Sequence, residues 1–190
     1  MSRLRRLVLL RHGETVGESS IRFHGRTDVA LDATGIAQAE EARYELRSHF
    51  FDLVASSPLQ RAWNTARIVT RGAPVRIVSE FREVDFGRWE GLTAEEIRQG
   101  YPELYTEWQT GPPNFDYPGG EPRGDFKARV LSGWFHVESM GAESVLVVAH
   151  KGVIRTIAEH LGNPIEDGHP ELGQGVALTR TAGGDWQPGL

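Results

Sequence analysis

Five consecutive apolar residues, Val145-Leu146-Val147-Val148-Ala149, run directly into the polar triplet His150-Lys151-Gly152. The run lacks the alternation of a strand wetted on one face and is too short to be a helix. It therefore reads as a strand covered on both sides. Leu7 to Leu10 repeats the pattern, Phe51 to Ala55 reads as a second such strand, and Val75 to Val78 and Val176 to Thr179 are further strand candidates. Between them the apolar spacing turns helical. Ile36, Ala39, Ala42 and Leu46 share one face, with Thr34 placed to cap it. Pro58 is suited to open a helix reaching about Thr70. Helices are also expected from Asp125 to about Glu138 and from Val153 to Leu161. Strands alternating with helices predict the α/β class: a three-layer α/β/α sandwich around a mainly parallel sheet.

A length of 190 residues suits one domain, residues 1–190, with no internal repeat. The stretch at about 93–124 breaks the alternation. Tyr101, Tyr105, Trp108, Phe115 and Tyr117 lie there among many Gly and Pro residues. A short helix after Thr93 followed by irregular structure is expected. It would serve as a lid or substrate-loop insertion, or its aromatics would simply pack the segment onto the body. The Gly/Pro tail from Gly183 reads as a fraying end.

Composition removes several classes of function. Without cysteine there is no disulfide, thiolate zinc site or thiol nucleophile. A formal charge of −5 argues against nucleic acid or an anionic membrane as partner. The apolar run before Arg11 is four residues, short of the roughly 7–15 of a signal peptide, and no stretch has membrane-spanning length. A soluble, cytoplasmic protein is expected. Arg-Gly-Asp at Arg123 to Asp125 is read as chance.

Ligands of open α/β sheets bind beyond the carboxyl ends of the strands. Three strand exits carry similar residues: Arg11-His12-Gly13-Glu14-Thr15, Ser56-Ser57-Pro58-Leu59-Gln60-Arg61 and His150-Lys151-Gly152. Two histidines and two arginines would converge, a set suited to phosphoryl transfer, where positioning and charge stabilisation do most of the catalysis. Arg11 and Arg61 can fork onto phosphate oxygens, and a neutral imidazole is a competent nucleophile. Gly13, lacking a Cβ, could let the backbone approach the phosphate. Glu83, just before the tight Phe86-Gly87-Arg88-Trp89-Glu90-Gly91 loop, is the candidate acid for the leaving group. The bland alternative is that Glu80, Glu83, Asp85 and Glu90 form a solvated acidic edge.

Leu10-Arg11-His12-Gly13-Glu14-Thr15 resembles the signature of the histidine phosphatase (phosphoglycerate mutase-like) superfamily. The resemblance continues through His24-Gly25-Arg26-Thr27-Asp28, Leu31 and Gly35-Ile36-Ala37-Gln38-Ala39. It returns at Ser56 to Ala62, at Arg82 to Gly91 and at Val148 to Arg155, in the family's order and over most of the chain. It implies that His12 is phosphorylated during the cycle, that Arg11, Arg61 and His150 form the phosphate pocket, and that Glu83 donates the proton. It implies no metal and no other cofactor, and a small-molecule phosphate ester as the only partner. The substrate-binding candidates are Arg22, an additional anion contact, with Thr15, His24, Gly25 and Lys151.

Three positions depart from the family pattern. Gly17-Glu18 stands where Trp-Asn is common, so Glu18 must turn away from a phosphate or meet a cation. Lys151 replaces a frequent Gly and either charges the pocket or faces solvent. Gly119-Gly120-Glu121-Pro122 ends in Pro where Ser or Thr is usual. His49, His136, His160 and His169 lie outside the blocks and read as surface residues. A metal hydrolase is disfavoured because no His-Glu-x-x-His or His-x-His spacing occurs. A mutase and a non-catalytic module for phosphorylated ligands are the remaining alternatives. The short chain and the Phe86–Gly91 loop favour the phosphatase branch.

Overall fold

A computed structural model describes residues 3–112, 115–166 and 169–189. The strands are β1 (Arg6–Arg11), β2 (Leu53–Ser56), β3 (Arg76–Ile77), β4 (Ser144–Ala149), β5 (Gly175–Arg180) and β6 (Trp186–Pro188). The helices are α1 (Ala33–Glu45), α2 (Gln60–Val69), α3 (Ala94–Gly100), α4 (Pro102–Gln109), α5 (Arg123–Ser139) and α6 (Lys151–His160). The strands form one sheet in the order β3-β2-β4-β1-β5-β6. β3, β2, β4 and β1 are mutually parallel, while β5 runs antiparallel to β1 and β6 antiparallel to β5. The expected α/β class with a mainly parallel sheet is what the chain adopts.

Successive strand residues point to opposite faces, and the core divides accordingly. Leu7 and Leu9 of β1 join Val145, Val147 and Ala149 of β4 under Phe126, Val130 and Trp134 of α5 and Val153, Ile154 and Ile157 of α6. Val8, Leu10, Leu146 and Val148 face the other way, against Ala42 of α1 and Ala62, Ala66 and Val69 of α2. Every residue of β4 is buried, which is why its sequence is continuous rather than alternating.

Several local expectations give way to tertiary detail. The cap of α1 is Asp32, which has an extended backbone and accepts from Gly35 N at 2.7 Å, whereas Thr34 already lies within the helix. Pro58 precedes α2 instead of opening it, because the helix starts at Gln60 with Leu59 at its cap. The stretch read as irregular after the first short helix contains a second, α4, with Pro102 in its first turn. α3 begins with a capping box in which Thr93 and Glu96 satisfy each other's amides. Trp89 and Phe115 are buried, with ring centroids 5.6 Å apart, and Trp108 packs 6.0 Å from Trp89, so these aromatics form a lobe of the core. Residues 113–114 of that stretch lie outside the described residues. The tail does not simply fray after Gly183: Trp186–Pro188 pairs with β5 as an edge strand. Among the described residues no helix is long and apolar enough to cross a membrane.

Candidate active site

β1 and β4 are neighbours, paired in parallel with Arg11 opposite Ala149. Their next residues, His12 and His150, therefore emerge side by side, both buried, with ring centroids 5.1 Å apart. β2 flanks β4 on the other side and ends at Ser56; Ser57 Oγ then lies 2.8 Å from His150 Nε2. Arg61, in the first turn of α2, is wholly buried, and Glu83 is 8% exposed.

Arg61 is locked by the carbonyls of one loop. Its Nη1 donates to Thr27 O at 2.7 Å and its Nη2 to His24 O at 2.9 Å and Gly25 O at 2.8 Å. Arg11 Nη1 donates to Pro170 O at 3.1 Å. The Nε of each arginine is buried without a partner, as are His150 Nδ1 and His24 Nδ1. A buried donor left unmet costs about 1–3 kcal/mol. Among the described residues the only other such side-chain atoms are the indole nitrogens of Trp89 and Trp134. Four of these six nitrogens thus belong to Arg11, Arg61, His24 and His150, residues that lie around His12.

Electrostatics sharpen the roles. His12 Nδ1 lies 2.7 Å from Gly13 O. A carbonyl can only accept, so Nδ1 carries the proton and the lone pair resides on Nε2. Burial, then the positive charge of Arg61, holds His12 well below the ordinary histidine range, so the ring is neutral at neutral pH. His150 is lowered for the same two reasons. Burial lowers Arg61 to about 10, which leaves it charged at neutrality, and also lowers Arg11. Burial raises Glu83, against the pull of the Gly152 and Val84 amides and the charges of Arg61 and Arg11. A carboxyl pushed toward its protonated form is suited to donate a proton.

The substrate-binding candidates separate. His24 presses its Nε2 against Gly17 O. Gly25 is packed so closely that a Cβ would lie 1.8 Å from Val84 O. Thr15 is buried, with its hydroxyl shared between Ser19 Oγ at 2.8 Å and the Gly17 amide at 3.3 Å, inside the 15–19 turn. Arg22 is placed differently from a contact aimed at an anion. It donates to Glu18 at 3.2 Å, Gly91 O at 2.9 Å and Glu96 at 3.1 Å. Glu18, in a left-handed conformation (φ 58), thus meets a cation. Lys151 is the half-buried first residue of α6. Gly13 also has a packing reason to be glycine: a Cβ would stand 2.3 Å from Gly35 O in the first turn of α1.

Two supporting residues escaped the sequence reading. Glu90 accepts from the amides of Gly25, Arg26, Thr27 and Phe86, tying down the loop that holds Arg61. It stands in the Arg82–Gly91 block, yet its burial partners lie about 65 residues earlier. Thr65 Oγ1 accepts from Gly13 N at 3.2 Å, one helical turn after Arg61. Among the described residues no three His, Asp or Glu side chains are grouped to hold a metal ion.

Comparison with known proteins fits this geometry. The family model for the histidine phosphatase superfamily (branch 1) matches residues 7–181. The chain is 36% identical over 170 residues to the adenosylcobalamin/alpha-ribazole phosphatase of Escherichia coli K12, covering 85% of this chain and 81% of the relative. It is 32% identical over 166 residues to the 2-carboxy-D-arabinitol-1-phosphatase of Triticum aestivum, covering 85% of this chain but only 34% of that longer protein. The crystal structure of a mycobacterial glucosyl-3-phosphoglycerate phosphatase superposes with a TM-score of 0.81 at 29% identity, covering 98% of this chain and 97% of that one.

Proposed function

The chain belongs to the histidine phosphatase superfamily, and from that premise we propose that it hydrolyses small-molecule phosphate monoesters through a phosphohistidine on His12, with Glu83 as proton donor and no metal. The observation that carries the reading is the neutral His12 imidazole, its Nε2 lone pair fixed by the Gly13 carbonyl, beside Arg11, Arg61 and His150.

In the first step His12 Nε2 forms a bond to phosphorus and the ester P–O bond breaks. The departing alkoxide takes the proton of Glu83 and leaves as an alcohol. Arg11, Arg61 and His150 stabilise the charge on the equatorial oxygens. In the second step water attacks phosphorus, the Glu83 carboxylate accepts a water proton, and the P–N bond breaks. The sum is ester plus water giving alcohol plus inorganic phosphate. The relatives named above bear the names of phosphatases for small phosphorylated molecules, which supports a substrate of that size. The net charge of −5 disfavours nucleic acid and anionic membranes as partners. The segment at about 93–124 is then the wall that distinguishes substrates.

Turnover of a labelled monoester quenched in alkali tests this. Label is expected as a base-stable, acid-labile adduct on His12, absent in His12→Asn, with turnover indifferent to a chelator. Undiminished turnover in His12→Asn, or loss of activity to the chelator, would overturn it. Isomerisation of phosphoglycerate faster than phosphate release would assign a mutase instead.

A further inference from the structure

We propose that Gly152 is a positioning residue for the proton donor: the absence of a side chain at the second residue of α6 is what allows the Glu83 carboxyl to occupy its place. The inference rests on the reading of Glu83 as the acid. Two observations support it. The Gly152 amide donates to Glu83 Oε2 at 3.0 Å, while Val84 N donates to Oε1 at 3.0 Å, so both oxygens are pinned. A Cβ at 152 would lie 2.5 Å from Glu83 Oε1 and 3.3 Å from its Cδ, with Phe126 Cζ at 3.1 Å.

The backbone supplies no other reason for glycine. Position 152 lies inside α6 and is not among the residues of positive φ, so any L residue could adopt its conformation. Glycine is also among the poorest helix formers. The atom that alanine would strike first is the tip of a flexible side chain. Such a chain swings aside, which leaves the fold intact and the acid misplaced. His150 caps the same helix two residues earlier, so the start of α6 sets both the acid and one wall of the proposed phosphate pocket.

The experiment is a double-mutant cycle on Gly152→Ala and Glu83→Gln, read with an alkyl phosphate and with p-nitrophenyl phosphate, whose leaving group needs little protonation. For Gly152→Ala, kcat/KM for the alkyl ester, which covers only the steps up to cleavage of the ester bond, is expected to fall at least ~10-fold, toward the ~10²–10⁴-fold contributed by a general acid. The kcat/KM of the nitrophenyl ester should change less than ~3-fold, the vanadate Ki should hold, and Tm should stay level or rise. The double variant should match Glu83→Gln alone. Equal losses of kcat/KM on both esters, a weakened vanadate Ki, additive losses in the double variant, or a lowered Tm would each overturn the proposal. If instead Glu83→Gln spares the alkyl ester while His12→Asn is inactive, the assignment of Glu83 as acid is what fails.

Discussion

His12 is held neutral where an ordinary histidine begins to protonate, and this fixes one limb of the pH dependence. The reactive form requires an unprotonated Nε2, and burial with Arg61 lowers the ring well below the usual ~6.5. The acid limb of kcat/KM is therefore expected below pH 6.5. The alkaline limb should follow Glu83, above the ordinary carboxyl range because burial raises it. A steady-state profile on an ester of known ionisation checks both, and an acid limb at or above 6.5 would contradict this electrostatic picture. Arg61 makes a second case. The carbonyls of residues 24, 25 and 27 are reached from two separate nitrogens of the guanidinium fork, a spread that the single nitrogen of a lysine does not reproduce. Arg61→Lys should lower kcat/KM on the order of 10²–10³-fold and stability by about 2–3 kcal/mol, measured by kinetics and urea unfolding. Arg11, His12 and His150 were legible because each follows a continuous apolar run, and a strand's end is where its polar residues gather. Glu90 was not, because a carboxylate that accepts four amides looks in sequence like any acidic residue of a loop.

At the scale of elements, the ion pairs of Arg22 bind the segment after β1 to the start of α3 through Glu18, Gly91 O and Glu96. Arg22→Gln is expected to release that segment. Amide exchange over residues 16–22 should quicken and KM should rise, with kcat nearly unchanged; a fall in kcat at constant KM would instead return Arg22 to the phosphate. Asp32→Ala removes the cap of α1 and should cost about 1 kcal/mol, read by chemical denaturation. The sequence could not show the Arg22 strap, since its partners at 91 and 96 become neighbours only after folding. α4 was hidden by the Gly and Pro residues around it, though Pro102 is a sound first-turn residue. β6 was hidden because a three-residue edge strand is defined by the hydrogen bonds that β5 offers, not by its own composition. Hydrophobic runs, by contrast, carry their burial with them, and so β1, β2 and β4 could be read directly.

Across the whole molecule the site opposes stability in two pH windows. His12 and His150 have lowered values in the fold, so the unfolded chain binds more protons. Their stabilising contribution is present above ~6.5 and is lost as pH falls toward the folded values, by up to ~1.4 kcal/mol per pH unit for each ring. Glu83 has the opposite sign: raised in the fold, it contributes below the ordinary ~4.3 and that contribution is lost as pH rises through the folded value. Glu83→Gln should therefore raise Tm at pH 7 to 8, with the gain fading toward pH 4. Thermal melts across pH provide the check, at about 2–4 °C for each kcal/mol in a chain of this size. The pairing of Arg11 with Ala149 has a last consequence. A slip of one residue along that seam would turn every side chain of one strand to the opposite layer, leaving the paired imidazoles facing apart. Misthreaded molecules would then be chemically mute, and turnover per mole would serve as a census of correctly registered sheets.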